Sequence, residues 1–214
     1  MSLVTEVINT YGPWLQGHLG TSARYQHSLE VAKQAETLAI ALDATQVEQQ
    51  YAVTAGLLHD CAKLMPHTAL LDYCQTYNIN LSPEDSASPQ ILHALVGADR
   101  VQRELGIHTP EVINAIRYHT TGRAHMHPIE QWVYIADKWV GLARFPESLA
   151  PLDAILQRLI TIPANTPNRP SCQTALLQDA MTLLLGQTVA HLTHQSMAIH
   201  PDTLLALSSY ATAP

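Results

Sequence analysis

Apolar residues recur at helical spacing along almost the whole of this 214-residue chain. In the segment 22–42, for example, one face carries Val31, Ala35 and Leu38, and no segment of the chain shows a sustained alternation of apolar and polar residues. Spacings of three and four residues are typical of amphipathic helices, whereas half-buried strands alternate with a period of two. The sequence therefore predicts an all-α fold.

Several helix boundaries are marked by their capping residues. Thr45 and Glu48 form a capping-box pattern, and we expect the helix that follows to run through Ala62 and to be closed by Pro66. Proline in the first helical turn and glycine just past the last turn are typical of helix ends. The remaining elements predicted on these signals are a short helix over 67–77, a polar loop over 78–88, a helix over 89–105 that starts at Ser88-Pro89, a helix over 110–119 and a helix over 128–140.

Residues 163–170 hold three prolines in eight positions and are the best candidate for a linker. We therefore predict a main domain over 1–162 and, over 163–214, a linker with a C-terminal helical extension packed on that domain. Residues 180–201 carry no charged side chain, but their several polar residues would face hydrocarbon in a membrane span, so we expect a soluble helix. The absence of a signal-peptide pattern, together with three cysteines that form no CxxC pair, indicates a reducing cytoplasm.

The composition is poor in charge and rich in histidine. Charged residues make up 14% of the chain, the formal net charge is −7, and only three residues are lysines. Broad nucleic-acid binding needs a basic face, so this class of function is excluded. The 12 histidines instead direct attention to a metal site, because imidazole is a common ligand of transition metals.

Four side chains from three predicted helices are placed to converge on one divalent cation. They are His27, His59, Asp60 and Asp137. His27 and Asp137 each lie on the apolar stripe of their helix, and an aspartate is rarely buried without a partner. Mixed imidazole and carboxylate ligands suit iron, manganese or zinc better than magnesium or calcium. Helical spacing alone also allows the alternative that these are partly exposed helix residues.

His93, inside the predicted 89–105 helix, and His119, at the end of the 110–119 helix, extend this set. Each could be a core histidine that bonds a carbonyl group. Both would also suit hydrogen bonds to a phosphate, or a second metal ion close enough to the first to clamp a phosphoryl group.

The order of these residues resembles the HD-domain metal-dependent phosphohydrolases. Within that family, five segments are similar to the YqeK branch, which hydrolyses diadenosine tetraphosphate symmetrically. The segments are RYQHSL at 24–29, LLHDCAK at 57–63, HALVGA at 93–98, IRYHTTG at 116–122 and IADK at 135–138. The tetrapeptide HPDT at 200–203 resembles the His-Pro signature near the C-terminus of the family.

The resemblance implies an HD-domain helical bundle over 1–162 that holds one or two ions of iron or manganese. Their ligands would be His27, His59, Asp60 and Asp137, with His93 and His119 as candidates for a second ion. In the mechanism expected of such a centre, Asp60 would also accept a proton, and Lys63, Arg24 and Arg144 would stabilise the anionic transition state. The residues that it places at the substrate are Arg24, Lys63, His93, His119, Thr120 and Arg144. The bound nucleotide would be a dinucleoside polyphosphate or a nucleoside diphosphate such as ADP or GDP.

Two other functions remain open at this point. The chain could be another HD-type nucleotide phosphohydrolase, namely a nucleotidase, a dNTP hydrolase or a phosphodiesterase. The reaction products would distinguish these activities from the hydrolysis of a dinucleoside tetraphosphate. It could also be a non-catalytic nucleotide sensor. Separately, His191, His194 and His200 could bind a second kind of metal, although packing of a polar helix end is the simpler interpretation.

Overall fold

The computed structural model describes residues 2–141 and 146–211. Within these ranges it contains α-helices, a 3-10 turn at Pro89–Ile91, and no strand. The helices are α1 Leu3–Leu19, α2 Ala23–Ala41, α3 Gln46–Leu58, α4 His67–Thr76, α5 Pro83–Ala87, α6 Leu92–Leu105, α7 Pro110–Tyr118, α8 Pro128–Val140, α9 Pro146–Ile160, α10 Arg169–His194 and α11 Pro201–Ala211. The prediction of an all-α fold is confirmed.

The centre of the fold is formed by α2, α3, α7 and α8, which pack against one another. Helices α2 and α3 approach closely at Gly56, where a Cβ atom would lie 3.1 Å from the Cα of Ala32 and 3.2 Å from the carbonyl oxygen of Val31. A larger residue at this position would push the two helices apart, because both partners are backbone atoms in a close-packed interior. The close approach fixes the position of the C-terminal end of α3, which is followed directly by His59 and Asp60.

The prediction that the helix starting after Thr45 continues through Ala62 is wrong, because α3 ends at Leu58. Beyond it, the backbone N–H groups of Cys61 and Lys63 each donate to the carbonyl oxygen three residues earlier, at 3.1 and 2.9 Å. Such bonds wind the backbone more tightly than an α-helix does. The dipeptide at 59–60 therefore lies on successive tight turns instead of on a regular helix face.

The segment 78–88 is not a loop throughout, because it contains α5. The hydroxyl of Ser82 accepts a bond from the N–H of Asp85 at 3.0 Å, and the Asp85 carboxylate accepts one from the N–H of Ser82 at 2.9 Å. This reciprocal pair is a capping box, a signal that is readable in the sequence and that the prediction of a polar loop overlooked. The expected helix start at Ser88-Pro89 gives the 3-10 turn, and α6 begins at Leu92.

The C-terminal helices pack on the rest of the bundle: α10 contacts α8 and α9, and α11 contacts α10. Five side chains of α10 are buried in the common hydrophobic core, namely Leu176, Ala180, Met181, Leu184 and Leu185. The boundary between 162 and 163 stays a prediction. Among the helices of the described ranges, none combines the length and the apolar character that a membrane crossing requires.

The Thr45 cap gives a first testable prediction. The Thr45 hydroxyl accepts a bond from the N–H of Glu48 at 3.3 Å, and the Glu48 carboxylate accepts one from the N–H of Thr45 at 2.8 Å. We expect Thr45→Ala to lower the free energy of unfolding by about 1 kcal/mol, because it leaves N–H groups at the start of α3 without a partner. Urea denaturation measures the change.

The matched control is Thr37→Ala, since the Thr37 hydroxyl donates to the carbonyl oxygen of Lys33 inside α2 at 3.0 Å. That bond adds little to the free energy of unfolding, because alanine has a higher helix propensity than threonine at an interior helix position. A loss of stability in Thr37→Ala as large as that in Thr45→Ala would contradict a capping effect.

Candidate metal centre

Five helices bring six predicted ligands together in the interior of the bundle. His27 lies on α2, His93 on α6 and Asp137 on α8. The other three follow directly on the ends of α3 and α7: His59, Asp60 and His119. The four histidines of this set and Asp60 are buried. The structure thus places together the residues that helical spacing and family resemblance singled out.

Three of the histidines are oriented by the same device. The Nδ1 atoms of His59, His93 and His119 lie 2.8, 2.9 and 2.7 Å from the carbonyl oxygen three residues earlier in the chain. A carbonyl oxygen only accepts, so each Nδ1 carries the proton and donates it. The lone pair of each neutral ring is then on Nε2, which faces the centre. Metal-binding histidines in proteins are typically held in this way.

A first group of ligand atoms comes from His27, His59 and Asp60, whose atoms all lie within 4.8 Å of one another. The Oδ1 atom of Asp137 adjoins this group, at 2.9 Å from His27 Nε2 and 3.6 Å from His59 Nε2. His59 Nε2 is buried and finds no hydrogen-bond partner among the described residues. An unpaired buried polar atom is costly, and a divalent cation bound by these two imidazoles and two carboxylates would remove that cost.

A second group consists of Asp60, His93 and His119, again with ligand atoms within 4.8 Å of one another. Asp60 belongs to both groups. Its Oδ2 lies 3.6 Å from His59 Nε2, while its Oδ1 lies 3.2 Å from His93 Nε2 and 3.5 Å from His119 Nε2. One carboxylate oxygen therefore faces each group, so Asp60 could be a ligand of a cation held by either group.

The two Nε2 atoms of His93 and His119 lie 3.2 Å apart. With both protons on Nδ1, two lone pairs face each other there, and a shared cation would relieve their repulsion. Burial lowers the pKa of His93, and it lowers the pKa of His119 to about 4. Both rings are therefore neutral near pH 7, which is the form that binds a metal.

The carboxylates of the centre stay ionised. Burial alone would raise the pKa of Asp60, but the positive charge of a protonated His59 beside it outweighs burial and lowers that pKa. Burial likewise opposes the charge on Asp137, and the Lys138 ammonium together with the histidines lowers its pKa. For His59, burial disfavours the charged ring, but Asp60 and Asp137 raise its pKa. The field at His59 Nε2 thus favours positive charge, and a cation can occupy the place of a proton.

Two of the predicted substrate-binding cations lie at the rim of the centre. Arg24 Nη1 donates to Asp60 Oδ2 at 3.1 Å. Lys63 Nζ lies 3.2 Å from His93 Nε2 and 4.0 Å from Asp60 Oδ1. Both side chains are about one-third exposed, so each can also reach a ligand that enters from solvent.

Lys138 is a neighbour of the centre to which the sequence analysis assigned no role. Its Nζ donates to Asp137 Oδ2 at 2.6 Å and leaves Oδ1 facing the histidines. The position of Asp137 on an apolar stripe indicates that its carboxylate needs a partner, but residue spacing does not show that the adjacent Lys138 is one.

Of the other predicted residues, Thr120 lies next to the centre, and its Oγ1 is buried without a hydrogen-bond partner in the described part of the chain. Arg144 lies outside the described residues. His191 and His194 are exposed, and His200 instead lies 3.4 Å from Asp85. The ligand groups found among the described residues do not include these three histidines.

Two clefts open beside Lys63. One, of about 240 Å³, is bounded on its far side by the α10–α11 region, and we name it the C-terminal cleft. Its walls include Lys63, Gln90, Thr120, Leu192, Ala198 and Thr203. The other, of about 400 Å³, is bounded by the start of α4, and we name it the α4 cleft. Its walls are Lys63, Met65, His67, Leu70, Gln90 and His93.

Comparison with known proteins agrees with this geometry. The HD domain matches residues 24–140 of the chain, a range that includes all six ligand candidates. A solved structure from Clostridium acetobutylicum, described as a predicted HD superfamily hydrolase involved in NAD metabolism, superposes with a TM-score of 0.72 at 25% sequence identity. The alignment covers 98% of this chain and 95% of that one.

Three relatives of similar sequence are named symmetrical bis(5'-nucleosyl)-tetraphosphatase. That of Halalkalibacterium halodurans is 31% identical over 186 residues, which are 86% of this chain and 87% of the relative. That of Bacillus subtilis is 35% identical over 117 residues, or 55% of this chain and 61% of the relative. The HD-domain match, and the similarity to the first relative over most of both chains, show that the chain belongs to the HD-domain family and, within it, to the symmetrical bis(5'-nucleosyl)-tetraphosphatases.

Proposed function

We propose that the protein hydrolyses diadenosine tetraphosphate symmetrically to two molecules of ADP and that divalent cations in the buried centre support the reaction. The observation that carries the proposal is the position of Asp60, whose two oxygens face two different groups of histidine nitrogens. A carboxylate of this kind suits a centre that binds the phosphates of a substrate between metal ions. The relatives named for this activity support the choice of substrate.

His27, His59, Asp60 and Asp137 would hold one cation, and Asp60, His93 and His119 a second. The mixed nitrogen and oxygen ligands favour iron or manganese over magnesium or calcium. When bound, such a cation lowers the pKa of a coordinated water molecule and draws charge from the phosphoryl oxygens. The absence of thiolate ligands from both groups fits this choice.

The chain's own residues position the polyphosphate and balance its charge. Lys63 and Arg24 would contact phosphoryl oxygens at the rim, where their positive charges stabilise a transition state richer in negative charge than the substrate. The unpaired hydroxyl of Thr120 would donate to another phosphate oxygen. Asp60 would hold its charge as a ligand, and its role as a proton acceptor stays a prediction from the sequence.

Lys63→Gln tests the charge at the rim. We expect kcat/KM for diadenosine tetraphosphate to fall about 100-fold. Removal of one preorganised hydrogen-bond donor that stabilises negative charge in a transition state typically has an effect of this order. Metal content should not change, since Lys63 is not a ligand. The matched control is Lys33→Gln on the exposed side of α2, which should retain wild-type kinetics. Equal losses in both variants would contradict a role for Lys63 at the substrate.

A panel of nucleotides, assayed on protein whose metal content is measured in the same sample, tests the proposed function. The expected result is turnover of diadenosine tetraphosphate with ADP as the product. Release of nucleoside or inorganic phosphate from mononucleotides, without turnover of the dinucleotide, would support another HD-type phosphohydrolase. Metal binding with no turnover of any nucleotide would support a sensor and contradict the proposal.

We also propose that the reaction takes place in the cytoplasm. Cys61, Cys74 and Cys172 are free thiols, and the first two are buried. Free thiols of this kind suit a reducing compartment.

A further inference from the structure

The C-terminal cleft and the α4 cleft share a wall at the candidate metal centre. Lys63 and Gln90 line both clefts. His93, a member of the second ligand group, lines the α4 cleft, and its Nε2 lies 3.2 Å from Lys63 Nζ. A phosphate chain bound over Lys63 and His93 would therefore have an open cleft at each end.

We propose that the α4 cleft binds the second nucleoside of a dinucleoside tetraphosphate, while the C-terminal cleft binds the first. The inference rests on the proposed function and deepens it, because it assigns a separate binding site to each half of the substrate. The phosphates nearest the centre are then the two inner ones, and cleavage between them leaves one ADP in each cleft.

The walls of the α4 cleft suit a purine nucleoside. Met65 is partly exposed and provides apolar surface for a face of the base, and the buried Leu70 closes the floor of the cleft beneath it. His67, the first residue of α4, is exposed and can stack on the ring. The exposed Gln90 amide can donate to and accept from the polar edge of the base. Ligand sites commonly combine apolar walls with a few polar groups in this way.

Charge also favours the α4 cleft. Its lining contains no carboxylate among the described residues and includes Lys63 beside the centre. A third cavity nearby has a volume of about 250 Å³. Its lining includes three carboxylates, those of Glu84, Asp85 and Asp202, and one guanidinium, that of Arg117. Three carboxylates would repel a polyphosphate chain, so this third cavity is the less suitable site for the second half of the substrate.

Titration calorimetry of the metal-loaded protein with ADP tests the proposal. The wild type is expected to bind two ADP per chain, one in each cleft. In His67→Glu the weaker of the two affinities should fall at least about tenfold, because stacking on the ring is lost and a negative charge is added. A glutamate in the first turn of α4 is favourable for the helix, so the variant should fold. One ADP per chain in the wild type would overturn the proposal.

His108→Glu is the matched control, because His108 is also exposed but lies outside both clefts. This variant should bind two ADP with wild-type affinities. If His67→Glu and His108→Glu bind ADP equally well, the α4 cleft is not the second site.

Kinetics separate this inference from the proposed function. For the wild type and His67→Glu, kcat/KM is measured with diadenosine tetraphosphate and with adenosine 5'-tetraphosphate, which lacks the second nucleoside. The value for diadenosine tetraphosphate, divided by the value for adenosine 5'-tetraphosphate, should fall about tenfold in His67→Glu relative to the wild type. An unchanged ratio would contradict the second nucleoside site. A wild type that binds two ADP but hydrolyses no dinucleotide would contradict the proposed function instead.

Discussion

Replacing Asp60 by asparagine is expected to lower kcat/KM for diadenosine tetraphosphate by at least about a thousandfold, the equivalent of about 4 kcal/mol in transition-state stabilisation. Asp60 faces both ligand groups, with one oxygen towards His59 and the other towards His93 and His119. Asparagine keeps the size of the side chain but removes its charge and one of its two acceptor oxygens. The variant therefore loses a ligand from both candidate cation sites at once.

Metal content per chain, measured on the same preparation, accompanies the kinetics and should fall in Asp60→Asn. The matched control is Asp72→Asn, an exposed aspartate on α4, which should retain wild-type activity and metal content. If Asp60→Asn binds as much metal as the wild type and retains turnover, the centre described above is not the site of the reaction.

Arg123→Ala is expected to have the largest effect on stability, a loss of about 3 kcal/mol in the free energy of unfolding. Arg123 holds Glu130 through two hydrogen bonds, of 2.7 Å from Nε and 2.6 Å from Nη2. Glu130 is 1% exposed, so removal of the arginine leaves a buried carboxylate without its counter-charge. Because the pair joins the segment after His119 to α8, the loss should also loosen the edge of the candidate centre.

Urea denaturation measures this change, with Arg103→Ala as the control. Arg103 pairs with Asp99 one turn earlier on α6 and is about half exposed, and exposed pairs contribute about 1 kcal/mol or less. A second variant, Arg123→Leu combined with Glu130→Leu, should recover much of the lost stability, because no buried charge is then left unpaired. Equal losses in Arg123→Ala and Arg103→Ala would contradict this account of the Glu130 pair.

Much of the fold follows from local signals in the sequence. The Thr45 capping box and the proline starts at 110 and 128 mark helices that the structure contains. These signals are readable because they satisfy backbone groups within one turn of the chain. The turns after Leu58 have no comparable signal, since apolar residues continue there at helical spacing while the backbone changes to tighter hydrogen bonds.

The identities of the ligand candidates could be predicted from the sequence, but the orientations and contacts of their side chains could not. The positions of His27 and Asp137 on apolar helix faces follow from helical spacing, and the resemblance to a family supplied the order of the remaining motifs. The orientation of His59, by contrast, depends on the carbonyl of Gly56 and so on the close packing of α2 against α3. The contact of Lys138 with Asp137 likewise follows from tertiary packing, which residue spacing does not encode.

We expect the metal-loaded centre to cleave the substrate in the middle of its phosphate chain. Chromatographic analysis of the products of diadenosine tetraphosphate, formed in water enriched in oxygen-18, tests it most directly. We expect two molecules of ADP for each substrate molecule consumed, with one labelled oxygen in one of the two. Formation of ATP and AMP, or no consumption of substrate by protein that contains its metal, would contradict the account.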